Sequence, residues 1–161
     1  MKFLKYTVVF SFLILNACHT KKGTEFNQSA SVTSLDQLPE NPLEQKVISS
    51  SVNTTKNEMS TLYGNDLAFQ YARFYNDGNY PEGSSLYRVT WKQQDDPRWF
   101  GGKIPKAIES VEIVRFVKND ENKVVPDYTM YKGNPLSEVK NMGNLELFIK
   151  SIVEQRMAVI P

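Results

Sequence analysis

The side chains best suited to binding or catalysis are concentrated in one short segment of this sequence, from Trp91 to Pro105. Among them are the adjacent carboxylates Asp95 and Asp96. Two carboxylates can share general acid and base work when their side chains converge on one substrate. Neighbouring side chains usually point apart, however, and Asp-Asp-Pro is a common sequence at the start of a turn. We therefore interpret this pair as part of a turn rather than as a catalytic dyad.

The same segment places aromatic side chains beside cations, with Trp91, Trp99 and Phe100 as its aromatic members. Such a combination can form cation–π pairs or line a ligand pocket. Together with Tyr63, these three residues form the candidate pocket for a small ligand. The alternative, which we favour for the loop itself, is that Trp99 and Phe100 simply cover the core.

Residues 58–161 contain no cysteine and no histidine, because the sole residues of these types are Cys18 and His19. This excludes a Ser-His-Asp or Cys-His nucleophile and a Cys/His zinc site from that region. It also excludes covalent haem of the c type, which needs two cysteines and a histidine. No glycine-rich phosphate loop or spaced acidic metal loop is present. No catalytic residue and no metal ligand is therefore assigned, and enzymatic activity is not expected, although a tyrosinate, methionine or lysine could ligate haem without covalent attachment.

The N-terminal residues have the parts of a secretory signal. Two lysines precede an apolar stretch that is too short to span a bilayer, and a small residue precedes Cys18. The sequence Leu15-Asn16-Ala17-Cys18 resembles the lipobox of bacterial lipoproteins. The resemblance implies a signal peptide of residues 1–17, cleavage before Cys18, and attachment of diacylglycerol and further acyl groups such as palmitate to that residue.

An alternative is an ordinary signal peptide that happens to end beside a free cysteine. Since Cys18 is the only cysteine, it cannot form an intramolecular disulfide, and an exported free thiol has no evident use. Several acyl chains hold a protein on a membrane where a single myristoyl chain does not. His19 stands where many inner-membrane lipoproteins have aspartate, so we expect a lipid-anchored protein of the outer membrane that faces the periplasm.

The rest of the chain divides by composition into two parts. Residues 18–57 are rich in Ser, Thr, Asn and Lys and are interrupted by Pro39 and Pro42. A segment of this composition buries too little apolar surface to offset the conformational entropy that it would lose on becoming ordered. We therefore predict that residues 18–57 form a lipidated, disordered tether. Residues 58–161 hold both tryptophans and predict one modest domain. Because 13 Lys and Arg residues stand against 14 Asp and Glu residues there, with no basic stripe, nucleic acid is not expected as a partner.

Helical signals occur near both ends of the predicted domain. Asn65 or Asp66 can cap a helix that runs through Phe74 and ends near Gly78. Asn144 can cap a second helix, in which apolar residues recur at i, i+3, i+4, i+7 and i+8.

Strand signals lie between these helices. Residues 85–92 alternate apolar and polar side chains, and residues 110–117 and 124–131 read as two further strands. Residues 94–105 contain several chain breakers and are predicted to form a loop. The pattern predicts an α+β domain in which N-terminal and C-terminal helices flank a small antiparallel sheet.

Several segments, taken together, resemble the cytochrome P-460 domain family. They are Met59–Ala68, Tyr80–Ser84, Leu86–Trp91, Asp96–Gly101, and Ile104-Pro105 with Ser110-Val111-Glu112. The resemblance implies a small antiparallel sheet with flanking helices. In haem-bearing members it also implies a C-terminal Cys-x-x-Cys-His, a lysine cross-linked to the porphyrin, and chemistry on hydroxylamine or nitric oxide. Residues 137–161 contain no cysteine or histidine, so the resemblance extends to the fold and not to covalent haem.

Three functions are open at this point. The first is an envelope lipoprotein whose domain is a small-ligand binding or accessory module without covalent haem. The second is a redox protein that binds haem non-covalently and acts on hydroxylamine or nitric oxide. The third is a structural envelope lipoprotein that binds another, unidentified protein. In each of them the lipid bilayer is a partner through Cys18.

Overall fold

A computed structural model describes residues 27–75 and 77–157 of the chain. The predicted signal peptide and the predicted lipidation site, Cys18, lie outside the described residues. Those residues form a six-stranded antiparallel sheet and two α-helices, which confirms the predicted α+β class with an antiparallel sheet. Two strands precede the first helix, whereas the sequence had predicted that this helix would come first.

The strands follow one another across the sheet in chain order. They are β1 (Lys46–Asn53), β2 (Glu58–Gly64), β3 (Ser85–Asp95), β4 (Lys103–Lys118), β5 (Val124–Lys132) and β6 (Ser137–Glu138). The helices are α1 (Asp66–Phe74) and α2 (Leu145–Val153), and short 3₁₀ turns occur at Gln28–Ala30 and Pro42–Glu44.

The alternation of β3 defines the two faces of the sheet. We call face 1 the side that carries Tyr87, Val89 and Trp91, all of which are buried as their spacing predicted. Face 2 is the opposite side, which carries Leu86 and Arg88. Consecutive side chains of a strand point to opposite faces, and here apolar side chains lie on both of them. Both faces of the sheet must therefore be covered from water.

Face 1 is covered by the residues that precede β1. Ala30, Leu38 and Leu43 pack against its buried cluster. The indole Nε1 of Trp91 donates a hydrogen bond to the carbonyl oxygen of Ala30 over 2.9 Å. The backbone N–H of Leu136 donates to the carboxylate of Asp36 over 2.7 Å. This N-terminal segment is therefore part of the fold.

The prediction that residues 18–57 form a disordered tether is wrong for residues 27–57. Beyond the contacts with face 1, β1 pairs with β2 along its length, and Ile48 is only 2% exposed. The Ser-rich run that suggested disorder is an edge strand whose polar residues face solvent, an arrangement that the average composition does not reveal.

Face 2 is covered by the helices over only part of its area. Its core includes Leu62 and Leu86 from the sheet, Ala68 from α1 and Ile152 from α2. Gly64 permits this packing, because a Cβ atom there would lie 2.7 Å from Cδ1 of Ile48 and 3.1 Å from Cβ of Ala68. Both distances are shorter than ordinary contacts between carbon atoms, so a larger residue at position 64 would press on the end of the Ile48 side chain and on α1.

Asn65 is the residue that fixes α1 to the sheet. Its side-chain oxygen accepts hydrogen bonds from the N–H groups of Ala68 at 2.9 Å and of Ser85 at 3.2 Å. Its amide nitrogen donates to the carbonyl oxygen of Gly83 over 2.8 Å. One side chain thus caps the helix, as the sequence predicted, and also joins the turn before β3 to the start of that strand.

The second helix, α2, has the predicted extent, but fewer of its apolar side chains are buried than its periodicity suggested. Ile152 is fully buried, whereas Leu145 and Phe148 are 41% and 37% exposed. Asn144 occupies the N-cap position, although its side chain makes no capping hydrogen bond. Within the described residues, no helix is both long and apolar enough to cross a bilayer.

The predicted loop of residues 94–105 is wrong in extent. β3 continues to Asp95 and β4 begins at Lys103, with Gln94 paired to Ile104, so only residues 96–102 form the connection. The polar residues and Pro105 suggested a loop. They are tolerated because this end of β4 extends beyond β5, whose pairing with β4 starts at Ser110.

The packing of β1 leads to a first prediction. Ile48→Ala should lower the free energy of unfolding by about 2–5 kcal/mol, because it leaves a cavity between β1, Gly64 and α1. Val47→Ala is the matched control: Val47 is 54% exposed, and its replacement should change stability by less than about 0.5 kcal/mol. Urea unfolding monitored by circular dichroism measures both. Equal stability of the two variants would mean that residues 46–53 do not belong to the folded unit.

Candidate functional site

An open groove on face 2 is the candidate functional site. It lies where α1 and α2 no longer cover the sheet, and its volume is about 600 Å³. Its lining comes from the first five strands and from α2, and most of it is polar. Representative lining residues are Ser60, Arg88, Thr90, Ser110, Lys132 and Phe148.

A buried ion pair lies at the inner end of this groove. Arg88 of β3 and Glu112 of β4 are direct neighbours in the register. Nε of Arg88 donates to Oε2 of Glu112, and Nη2 donates to Oε1, each over 2.7 Å. The side chains are only 16% and 5% exposed, so this is a two-point contact of a guanidinium with a carboxylate in a largely dry setting.

Two further residues hold the pair in place. The hydroxyl of Tyr128 donates to Oε1 of Glu112 over 2.7 Å. Nη1 of Arg88 donates to the hydroxyl of Ser151 in α2 over 3.0 Å. Burial raises the pKa of Tyr128 above its usual value, and the hydrogen bond to Glu112 raises it further. Tyr128 therefore remains a neutral donor across the physiological pH range.

This arrangement is a poor device for stability alone. A buried ion pair costs desolvation energy, and apolar residues of similar volume often stabilise a protein equally well or better. Apolar neighbours are available on the same face, since Leu86 and Val114 flank the pair and belong to the core. The charged cluster lies at the border between that core and an open groove. Its position favours a role for the Arg88 guanidinium in the groove, with the other residues of the cluster fixing its orientation.

Toward the outside of the groove the charges alternate in sign. Nζ of Lys92 lies 2.9 Å from Glu58 and 3.8 Å from Glu109. The hydrogen bond to Glu58 is the main reason that the pKa of Lys92 is raised. Lys56 and Lys132 also line the groove. The surface thus offers donors and acceptors of both charges and several hydroxyl groups.

The end of the groove is closed by a contact between α2 and the first strand. Gln155 follows α2, and its side-chain oxygen accepts a hydrogen bond from the hydroxyl of Ser49 over 3.2 Å. Its amide nitrogen donates to the carbonyl oxygen of Ser151 over 3.2 Å. The groove therefore has an open sheet floor and one ordered wall.

The structure does not bring together the four residues of the predicted pocket. Tyr63 and Trp91 pack in the face 1 cluster, and Trp91 is 6% exposed. Trp99 and Phe100 lie in the β3–β4 connection and are 73% and 110% exposed. The interpretation that Trp99 and Phe100 cover the core is also wrong, because the β3–β4 hairpin carries them beyond the other strands.

The predicted turn at Asp95 and Asp96 is supported. The carboxylate of Asp96 accepts a hydrogen bond from the N–H of Arg98 over 2.8 Å, and Asp95 pairs with Lys103 across the hairpin. Each carboxylate thus has a structural partner.

The residues that define the groove were missed by the sequence analysis. Arg88 and Glu112 were assigned to predicted strands, and no role was given to either side chain. A signal was nevertheless present, because each charged residue stands two positions from an apolar residue on its own face, Arg88 from Leu86 and Glu112 from Val114. Opposite charges at matching depths in two neighbouring strands are compatible with a cross-strand pair.

The described residues contain neither histidine nor cysteine, so only a tyrosine, methionine or lysine among them could be an axial ligand of haem. No group of three Asp, Glu, His or Cys side chains there could hold a metal ion. The groove floor is built from hydroxyl groups and charges, whereas a porphyrin needs an apolar slot and an axial ligand.

A second, smaller depression lies between α1 and the end of α2. It has a volume of about 210 Å³ and is lined by Tyr71, Tyr75 and Tyr80, with Tyr71 stacked on Tyr75. A hydrogen bond from Tyr71 to Asp77 raises the pKa of the tyrosine to about 12. Its aromatic rings pack mainly on one another, and fewer polar groups converge there than in the groove.

Comparisons with known proteins add no assignment. The sequence matches no model of a protein family, and it matches no curated protein.

The raised pKa of Tyr128 leads to a second prediction. At neutral pH, Tyr128→Phe should lower the free energy of unfolding by about 1.5–3 kcal/mol, since it removes a hydrogen bond to a charged group. Wild-type stability should also fall above about pH 10, where unfolded tyrosine loses its proton and folded Tyr128 keeps it. The variant should show a shallower fall.

The control for this prediction is Tyr75→Phe, because Tyr75 is 59% exposed. Urea unfolding between pH 7 and pH 11 should give this variant the stability and pH slope of the wild type. A Tyr128→Phe slope identical to that of the wild type would contradict the assigned role of Tyr128.

Proposed function

We propose that this chain is a lipid-anchored protein of the bacterial cell envelope, and that its groove binds a small polar ligand without covalent haem. The observation that carries the proposal is the buried Arg88–Glu112 pair at the inner end of an open, polar groove. Tyr128 and Ser151 hold this pair in a fixed geometry. An oriented set of polar groups of this kind is typical of a binding site, where preorganisation reduces the cost of association.

The chemistry of the lining favours a hydrophilic ligand. The volume of the groove, about 600 Å³, is in the range of small-molecule sites. Most such sites are apolar, whereas this one combines carboxylates, cations and hydroxyl groups. A ligand that carries several hydroxyl groups, or charges of both signs, would satisfy these groups, while an apolar ligand would leave them unpaired. Phe148, which is 37% exposed, provides an apolar surface at the rim.

The location follows from the sequence Leu15-Asn16-Ala17-Cys18. Acylation of Cys18 would hold the protein on a membrane, and His19 favours the outer membrane and its periplasmic side. The hydrogen bonds of Asn27 and Ser29 to β4 support a further point. The folded unit would begin within nine residues of the anchor, so the domain would sit close to the bilayer rather than at the end of a long tether.

A relationship to the cytochrome P-460 domains is part of the proposal. Three of the segments that carry the resemblance occupy the helix cap at Asn65, the turn before β3, and the buried strand β3, and such positions constrain a fold rather than a reaction. The other segments lie in the β3–β4 connection and in β4. The absence of histidine and cysteine from residues 27–157 favours a binding role over the redox alternative with non-covalent haem.

A third prediction concerns the groove. A ligand released from protein purified from its native membrane, identified by mass spectrometry and titrated back by calorimetry, should bind Thr90→Val about five- to tenfold more weakly. The reason is that the variant keeps the shape of the side chain but loses one hydroxyl of the lining.

The matched control for the groove is Thr129→Val. Thr129 is half-buried like Thr90, but it pairs with Ile113 and lies on face 1. Its replacement should leave the affinity unchanged. Equal weakening by both variants, or the absence of any released small molecule, would contradict the assignment of the groove. A saturable, shifted Soret band on addition of haemin would instead favour the redox alternative.

A fourth prediction concerns the anchor. Cells expressing the chain and grown with radioactive palmitate should label the wild type and His19→Ala, but not Cys18→Ala, because only Cys18 has the thiol that accepts the diacylglycerol. Intact-mass measurement of the purified chain should show loss of residues 1–17 together with the added acyl groups. An unlabelled wild type with a free thiol would contradict the anchor.

A further inference from the structure

Two adjacent aromatic side chains stand exposed at the tip of the β3–β4 hairpin. Trp99 is 73% exposed and Phe100 is 110% exposed. The next residue, Gly101, has a φ of +76° and open space around its Cβ position, as expected at a protruding turn. Aromatic residues of this size normally supply a large buried area to a core or an interface. Their exposure here therefore indicates a surface that is covered by something else.

The hairpin reaches past the rest of the sheet. On one side, the last residue of β3 that pairs with β2 is Lys92. On the other, the first residue of β4 that pairs with β5 is Ser110. The connection of residues 96–102 lies beyond both points and is the convex end of a two-stranded arm.

The N-terminal segment meets the protein at this same arm. The side chain of Asn27 donates to the carbonyl oxygen of Pro105 over 2.8 Å, and the hydroxyl of Ser29 donates to that of Lys106 over 2.5 Å. Phe100 is five residues from Pro105, or about 17 Å along an extended strand. Cys18 is nine residues from Asn27, which limits its distance from the arm to about 32 Å.

We propose that the hairpin tip inserts Trp99 and Phe100 into the interface of the bilayer that carries the lipid on Cys18. The inference rests on the proposed lipid anchor, which keeps the bilayer within reach of the arm. Aromatic side chains concentrate at the level of the lipid headgroups. Arg98 and Lys106 are the cations near the tip in sequence, whereas Lys103 pairs with Asp95 across the hairpin and Asp96 accepts a hydrogen bond in the turn. The domain is thus attached to the bilayer at two points, the lipid on Cys18 and the hairpin tip, and these two contacts fix its orientation.

Quenching of tryptophan fluorescence tests this contact. The acylated full chain is reconstituted in phosphatidylcholine and phosphatidylglycerol vesicles whose acyl chains carry bromine. The wild type should lose about half of its emission, because Trp99 enters the interface while Trp91 stays buried in the fold. Phe100→Asp retains both tryptophans but places a charge at the tip, so its quenching should fall several-fold. Phe74→Asp is the matched control, since Phe74 is 71% exposed on α1, and it should be quenched like the wild type.

Intact-mass measurement of the same samples separates the two proposals. Equal quenching of Phe100→Asp and wild type, or no quenching of an acylated wild type, would overturn the insertion of the hairpin. Protection of Trp99 from iodide without quenching by bromine would mean that a protein surface covers the tip, and would overturn it as well. An unmodified Cys18 together with strong quenching would overturn the anchor and leave the hairpin contact standing.

Discussion

A single antiparallel sheet has two faces to remove from water, and residues 27–75 and 77–157 supply only two nine-residue helices with which to cover them. Both helices pack on face 2, where Gly64 permits the close approach of α1. Face 1 would then be open to solvent with Tyr87, Val89 and Trp91 on it. The residues before β1 provide its cover, and this requirement explains why a segment of low apolar content is ordered.

The same shortage of cover produces the groove. α2 is too short to span the width of face 2, so the strands continue beyond it as an uncovered, polar floor. At the border, hydrogen bonds join four structural elements through the side chains of Arg88, Glu112, Tyr128 and Ser151. The cluster closes the core on one side and presents an oriented guanidinium on the other. The packing of this region and the proposed binding therefore involve the same four side chains.

The sequence predicted those features whose cause is local. The cap at Asn65, the alternation of β3, and the two strands over residues 110–117 and 124–131 each follow from neighbouring residues, and the structure contains all of them. The sequence did not predict that residues 27–57 are ordered. Their ordered structure depends on contacts between residues far apart in sequence, such as the hydrogen bond from Trp91 to Ala30 and that from Leu136 to Asp36.

The candidate site was less predictable than the fold for a related reason. Arg88 and Glu112 become a pair only in one register of β3 against β4, and no local pattern specifies that register. Trp99 and Phe100 were expected either to line a ligand pocket or to cover the core. Their exposure follows from the length of the hairpin, which depends on where β2 and β5 stop pairing.

The most direct test of this account is a crystal structure of the acylated protein purified from its native membrane, with no ligand added. The central claim is that the uncovered half of face 2 is a binding site. It predicts electron density for a small polar molecule in the groove, within hydrogen-bond distance of Thr90 and Lys132. A groove filled by another part of the same chain, by a second copy, or by water alone would contradict it.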